Sequence, residues 1–229
     1  MNVLIACEES QTACIEFRKR GHRAFSCDLQ DCSGGHPEWH VKGDVLPLLN
    51  GNCTFQTSDT HTHTQNGKWD LLICHPPCTY LTNAGSVRVF RKEIREYPPY
   101  GTFQMVNVER LKKGIEARDF FLEMLRADCD RIAVENPMPM SVFCLPRPSQ
   151  CINPWMFDEP YSKRTYLWLK GLPPLMATVI DMNYHPFICG GGGRMERENY
   201  KGQTFASGGV GRSKSFTGIA QAMADQWTT

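Results

Sequence analysis

Residues 69–80 read Trp-Asp-Leu-Leu-Ile-Cys-His-Pro-Pro-Cys-Thr-Tyr, an apolar run that stops at two adjacent prolines. A short continuous apolar run predicts a buried strand, and two prolines cannot extend that strand. Cys78 therefore falls on the turn at the carboxyl end of the strand, which is where open α/β sheets bind their ligands. We expect Cys78 to belong to a functional site.

Residues 131–137 have the same form, a short apolar run followed by Glu135, Asn136 and a proline. The carboxyl ends of parallel strands meet at one edge of a sheet. We therefore expect the Cys78 thiol and the Glu135 carboxylate to lie at the same edge.

The first 28 residues predict how the chain begins to fold. Residues 2–6 form an apolar strand, residues 12–20 have helical spacing and stop at a glycine, and residues 23–28 form a second strand that ends in Asp28. This order opens nucleotide-binding α/β units, in which an acid after the second strand accepts hydrogen bonds from ribose hydroxyls. We assign that role to Asp28; the alternative is a turn or capping aspartate.

The predicted fold class is α/β, with a mostly parallel sheet and helices on both faces, in a single domain spanning residues 1–229. Residues 79–106 lack periodicity and are expected to form an active-site loop, or else a solvated insertion. Residues 107–127 and 216–227 predict helices. Residues 172–212 are rich in glycine.

Composition excludes some classes of protein. The formal net charge of +1 gives no overall nucleic-acid signal, so any such surface must be a local basic patch. No apolar run approaches the roughly 20 residues of a membrane span, and the first residues lack the basic segment of a signal peptide. The 11 cysteines are odd in number and scattered, which favours thiols and a cytoplasmic location.

Cys27, Cys32, His36 and His40 are metal-ligand types that lie close together in sequence. Their spacing matches none of the common zinc patterns. We predict no metal site.

Two of these motifs resemble those of a known family. Pro77-Cys78 resembles the Pro-Cys turn of the cytosine-5 DNA methyltransferases, and Glu135-Asn136-Pro137 is similar to their Glu-Asn-Val element. The compact chain is also similar to methyltransferase-like proteins of phages and prophages. The resemblance implies a Rossmann-like methyltransferase fold, S-adenosylmethionine as cofactor and DNA as substrate.

The resemblance also implies catalytic roles. The Cys78 thiolate would add to C6 of cytosine, and Glu135 would activate the ring at N3. Lys163 matches the first basic residue of the family's base-contacting element, whereas Thr165 stands where the second is expected. The ordinary thiol pKa of about 8.5 would have to be lowered by positive charge, for which His75, Lys163 and Arg164 are candidates.

The cofactor turn departs from the family. A glycine-rich turn normally follows the first strand, and residues 7–11 here read Cys-Glu-Glu-Ser-Gln, so side chains are expected to make contacts there. Gly43-Asp44 resembles the element whose acid meets the adenine amino group; the alternative for Asp44 is an ordinary turn aspartate. The cofactor-binding residues that we predict are Cys7, Glu8, Ser10, Asp28, Asp44 and Pro76.

The turn after Cys78 and the loop that follows it are the expected contacts for substrate, because arginines and aromatic residues suit phosphates and bases. The substrate-binding residues that we predict are Pro77, Thr79, Asn136, Arg164, Thr165, Arg88 and Arg91. Residues 172–212 are few for a target-recognition domain. Relaxed specificity, single-stranded DNA, RNA, a free nucleotide and a partner protein for recognition all stay open.

Three other interpretations compete with this one. Residues 75–78 also resemble the Asp/Asn-Pro-Pro-aromatic turn of methyltransferases acting on adenine N6 or cytosine N4, although His75 and Cys78 fit that turn poorly. Pro-Pro-Cys is also similar to thymidylate synthase. The third is a non-catalytic methyltransferase-like module that binds nucleic acid or protein, favoured by the altered cofactor turn and by the absence of an asparagine before the last helix.

Overall fold

The structure is a computed structural model that describes residues 1–180, 187–190, 203–206 and 215–228. In chain order its elements are β1 (Asn2–Ala6), α1 (Thr12–Lys19), β2 (Arg23–Asp28), β3 (His40–Lys42), β4 (Cys53–Gln56), β5 (Thr62–Gln65), β6 (Leu71–Cys74), α2 (Ser86–Val89), β7 (Phe90–Glu96), β8 (Thr102–Val106), α3 (Val108–Arg126), β9 (Ile132–Asn136), β10 (Gln150–Ile152), β11 (Thr165–Lys170), β12 (Phe187–Gly190), β13 (Gln203–Ala206) and α4 (Thr217–Gln226).

A seven-stranded sheet forms the centre, in the order β10-β11-β9-β6-β1-β2-β3. Neighbouring strands from β9 to β3 pair in parallel, and β11 runs antiparallel to both β9 and β10. The predicted α/β class and mostly parallel sheet are therefore confirmed.

Strand order reverses between β1 and β6. From β1 the chain continues outward through β2 and β3, and it then returns to the other side of β1 to form β6 and β9. Open α/β sheets bind ligands in the crevice beyond the carboxyl ends of the strands at such a reversal. Residues 7–8 follow β1 and residues 75–78 follow β6. The predicted cofactor turn and the turn that bears Cys78 therefore both lie at this crevice.

Both faces of the sheet are covered. Alternate residues of β1 point to opposite faces, with Leu4 in the core that includes Phe121 of α3, and Val3 in the core that includes Phe17 of α1 and Met223 of α4. All five side chains are buried. Helices on both faces, as predicted, hold the strand ends in fixed positions.

Several predicted elements occur where expected. The strands at residues 2–6 and 23–28 have the predicted bounds, and the first helix stops before Gly21, whose φ of 80° suits glycine. Helix α3 begins after Asn107, whose side chain accepts a hydrogen bond from the Arg110 amide.

Residues 79–106 differ from the predicted loop. They contain the short helix α2 and the antiparallel hairpin β7–β8. Most side chains of this hairpin are exposed, so its sequence lacks the alternation of a strand with one buried face. The absence of periodicity therefore did not indicate an absence of structure.

Residues 181–186, 191–202 and 207–214, nearly all of them in the predicted glycine-rich region 172–212, lie outside the described residues. No helix in the described part of the chain is both long enough and apolar enough to span a membrane.

Candidate active site

The turn after β6 is fastened to the end of β9. The Asn136 side chain donates a hydrogen bond from Nδ2 to the Pro76 carbonyl over 2.8 Å, and both residues are buried. Cys78 lies two residues further on, as a half-buried thiol outside any disulfide. Its carbonyl accepts hydrogen bonds from the Leu81 and Thr82 amides at 3.0 and 3.1 Å, which close the turn. The two predicted strand ends thus meet.

His75 and Glu135 form an ion pair across the same two strand ends. Nδ1 of His75 lies 3.0 Å from Oε2 of Glu135, and both side chains are largely buried. Burial opposes the charged forms, but the contact outweighs it and raises the pKa of His75 while lowering the pKa of Glu135. Imidazolium and carboxylate therefore stabilise each other.

Two further charges act on this pair. The positive charge of Lys163 contributes to lowering the pKa of Glu135, and the negative charge of Glu8 contributes to raising the pKa of His75. The Lys163 ammonium lies 5.5 Å from the centroid of the Phe216 ring, before α4. Four ionisable groups from separate parts of the sequence are thus collected at the strand ends.

A cavity adjoins this cluster. His75, Glu135 and Lys163 contribute its charged wall. Its other lining residues come from the start of α1, from β11 and from the region of α4: Ala13, Thr165, Ser215, Phe216, Ile219, Ala220 and Met223. The space between these residues is about the size of a water molecule, and the charged wall offers hydrogen-bond partners to a water there.

Two buried polar atoms at these strand ends have no hydrogen-bond partner within the described part of the chain. They are Nε2 of His75 and Oδ1 of Asn136. Buried polar atoms are nearly always paired, so each such atom needs an explanation. The other polar atoms of the same two side chains already bind Glu135 and the Pro76 carbonyl. The two unpaired atoms are therefore free to contact a ligand or a water.

Five of the six predicted cofactor residues lie at or after the ends of β1, β2 and β3, and the sixth, Pro76, follows β6. Burial, together with the charges of Asp28 and Asp44, raises the pKa of the Cys7 thiol, which places both carboxylates near it. Asp28 also accepts the Gln30 amide at 2.9 Å and Asp44 the Leu46 amide at 3.0 Å. These are turn contacts, as in the alternative interpretation.

Glu8 caps the first helix. Its carboxylate accepts hydrogen bonds from the Ala13 and Cys14 amides at 2.6 and 3.2 Å, and the side chain is buried. Each oxygen of this carboxylate accepts one amide, so a cofactor contact would use the remaining lone pair of an oxygen. Ser10, beside it, accepts a hydrogen bond from the Thr12 hydroxyl at 3.1 Å.

Cys7 and Gln11 give the cofactor turn its shape. They adopt φ values of 59° and 58°, in the left-handed region that glycine usually occupies. The turn therefore reaches a glycine-like backbone conformation without a glycine.

The predicted substrate residues are distributed over a wider surface. Pro77, Thr79 and Arg164 are exposed beside the turn and β11, whereas Arg88 and Arg91 are exposed on α2 and β7.

Thr165 is buried, and its hydroxyl donates to the Lys163 carbonyl at 3.2 Å, which holds the backbone of that lysine.

Sequence reasoning missed two parts of the site. The sequence did not predict that His75 pairs with Glu135; a histidine placed directly between a strand and two prolines was the available signal. Arg110 donates to the Thr79 carbonyl at 2.7 Å and lies 4.8 Å over the Tyr80 ring. Its place in a helix gave no indication of this contact.

The histidines considered for zinc have other contacts. His40 bonds through both ring nitrogens, to the Ser26 hydroxyl and the Gln30 carbonyl, each at 2.9 Å. His36 stacks on Trp39 with ring centroids 3.8 Å apart. Among the described residues, no group of three or more potential ligands is placed to hold a metal ion.

No model of a known protein family and no curated protein matches this chain.

Proposed function

We propose that this chain is an S-adenosylmethionine-dependent cytosine C5 methyltransferase that acts on DNA. The observation that carries the proposal is the joining of two strand ends by the Asn136–Pro76 and His75–Glu135 contacts. These contacts bring the turn that bears Cys78 to the strand end that bears Glu135, and C5 substitution requires a thiol and a carboxylate in one site.

Carbon 5 of cytosine is a weak nucleophile on its own. When the Cys78 thiolate forms a bond to C6, the electron pair of the 5,6 double bond makes C5 enamine-like and able to attack an electrophilic methyl group. Loss of the C5 proton and of the thiolate then restores the double bond. Bound S-adenosylmethionine would supply the methyl group as a sulfonium.

Glu135 lowers the barrier to that addition. Negative charge develops on the ring at N3 when the thiolate adds, and a carboxyl group bonded to N3 and the exocyclic amino group offsets it. We assign His75 the role of holding Oε2 of Glu135, so that Oε1 faces the base. The imidazolium is also a source of the proton that N3 gains.

Features of the chain fit the cofactor. The turn after β1 has a glycine-like backbone, and Asp28 and Asp44 lie near Cys7 at the reversal of strand order. Carboxylates at this position suit ribose hydroxyls and an adenine amino group. The sheet, with its reversal between β1 and β6, supports the finer proposal of a Rossmann-like methyltransferase fold.

Nucleoside mass spectrometry tests the proposal. Total DNA and RNA from cells that express the wild type should contain 5-methylcytosine in DNA, and cells that express Cys78→Ala should not. Cys144→Ala is the matched control, because Cys144 is exposed and lies outside the site. Absence of any Cys78-dependent nucleoside would contradict the proposal, and a different mass would contradict methyl transfer.

A further inference from the structure

The hairpin β7–β8 exposes apolar and aromatic side chains to an unusual degree. Ile94 is 66% exposed, Tyr97 47%, Tyr100 80% and Phe103 49%. The Tyr97 and Phe103 rings lie 5.7 Å apart, at an edge-to-face angle of 68°. Tyr97 and Phe103 therefore lie together on one face of the hairpin, and exposed apolar side chains that lie together mark an interaction site.

The base of the hairpin is firmly anchored. Val89 is fully buried, and its carbonyl accepts a hydrogen bond from the Asn107 amide at 2.8 Å. Phe90 and Val106 are paired at the start of the hairpin and pack against the core. The aromatic tip is therefore carried on a fixed base.

Basic side chains lie at the base of the hairpin and also beside the turn that bears Cys78. Arg88 and Arg91 are exposed at its base, and basic residues outnumber acidic ones between residues 86 and 106. Arg110 and Lys113 lie 4.8 and 5.6 Å from the centroid of the Tyr80 ring, two residues after Cys78.

We propose that this hairpin is a binding arm for DNA, in which Tyr97, Tyr100 and Phe103 stack on unpaired bases beside the target cytosine. This inference rests on the proposed function and names the part of the chain that holds its substrate. Stacking on aromatic rings tolerates any base sequence. Residues 172–212 are few for a recognition domain, and such an arm would supply affinity for DNA that a larger domain would otherwise provide.

The charges favour DNA over a second copy of the chain as the occupant. Residues 86–106 carry four basic and two acidic side chains, so two such arms packed together would both contribute net positive charge. A phosphate backbone instead offers the opposite charge to the arginines, and its unpaired bases offer flat faces to the rings.

Fluorescence anisotropy tests the arm with the full chain and a labelled 20-nucleotide single-stranded DNA. The variant Tyr97→Ala/Tyr100→Ala/Phe103→Ala should bind at least about tenfold more weakly than wild type, because ring stacking is worth about that factor or more per base. Tyr97→Phe/Tyr100→Phe keeps the rings and should bind within about twofold of wild type. The triple alanine variant should lose less affinity for duplex DNA of the same sequence than for the single strand.

Leu29→Ala/Met176→Ala is the matched control, since both side chains are exposed away from the hairpin, at 75% and 69%. Its affinity should equal that of wild type, and all variants should keep the wild-type thermal midpoint. Unchanged affinity after ring removal would overturn the inference. So would equal weakening for duplex and single strand, or a wild-type dimer that ring removal dissociates without a change in DNA affinity.

The two proposals fail in different ways. Cys78-dependent methylation with hairpin-independent binding would overturn only the arm. Hairpin-dependent binding without any modified nucleoside would overturn only the methyltransferase.

Discussion

Asn136 donates a hydrogen bond from Nδ2 to the carbonyl of Pro76 over 2.8 Å, in a buried position. This contact joins the turn that carries Cys78 to the strand that carries Glu135. Pro76 and Pro77 have no amide hydrogens with which to continue the strand. The Asn136 side chain therefore gives the Pro76 carbonyl the hydrogen bond that a backbone amide would otherwise donate.

Substitution of this asparagine tests the connection. Asn136→Ala should lower the free energy of unfolding by about 1–3 kcal/mol, because it leaves the buried Pro76 carbonyl unpaired. Urea denaturation measures the change, and Asn66→Ala, at an exposed position, should have little effect. Equal stability of the two variants would show that the contact contributes nothing.

The ion pair between His75 and Glu135 predicts a pH window. The pKa of His75 is raised from its ordinary 6.5, so its contribution to stability is complete below pH 6.5 and is lost as the pH rises through the raised value. The pKa of Glu135 is lowered from its ordinary 4.5, so its contribution is present above pH 4.5 and is lost as the pH falls through the lowered value.

The stability difference between wild type and Glu135→Gln should therefore be largest between about pH 4.5 and 6.5. Urea denaturation across pH 3 to 9 measures it, with Glu123→Gln as a control on α3. A difference that stays constant with pH would contradict the pairing.

Glu8 should stabilise the start of α1. Glu8→Ala removes the acceptor of the Ala13 and Cys14 amides and should cost about 1–3 kcal/mol in the free energy of unfolding. Glu8→Gln keeps one acceptor oxygen and should cost less. Glu9→Ala, at the neighbouring acid, serves as control for chemical denaturation. If Glu9→Ala costs as much, the capping contact is not what stabilises the helix.

Gly218 should determine how closely α4 covers the cavity. A Cβ atom at this position would overlap with the Phe157 carbonyl, which belongs to the backbone and cannot rotate away. Gly218→Ala should therefore displace the start of α4 and destabilise the fold by about 1–3 kcal/mol.

Urea denaturation measures the free energy of unfolding of this variant. The exposed control Thr217→Ala should keep the wild-type stability, and Gly218→Ala should be less stable. Equal stability of all three would show that the close approach of Gly218 to the Phe157 carbonyl does not fix α4.

Local patterns were sufficient for much of the fold. The strands at residues 2–6 and 23–28 were predictable because each is a short apolar run with a clear stop, and the buried residues of α3 recur at helical spacing. The strand order was not predictable at the β11 edge. Insertion of β11 between β9 and β10 depends on pairing between residues distant in sequence, and no local pattern encodes such a pairing.

The sequence predicted only those site residues whose position is determined by the end of a strand. Two apolar runs that end at prolines indicated that Cys78 and Glu135 belong to one edge of the sheet. The contact between His75 and Glu135 spans 60 residues and depends on side-chain direction, which the sequence does not show. The hairpin escaped prediction because its exposed faces carry no hydrophobic alternation.

The most direct test of the central claim is a covalent trap at Cys78. In DNA that contains 5-fluorodeoxycytidine, fluorine replaces the C5 hydrogen that a base must remove as a proton before the thiolate is released, so the bond between the nucleophile and C6 should persist after methyl transfer. Intact-protein mass spectrometry with S-adenosylmethionine present should detect the adduct in wild type and Cys144→Ala, mapped to the peptide of Cys78, and no adduct in Cys78→Ala. An adduct that survives Cys78→Ala, or its absence from wild type, would contradict the claim that Cys78 is the nucleophile.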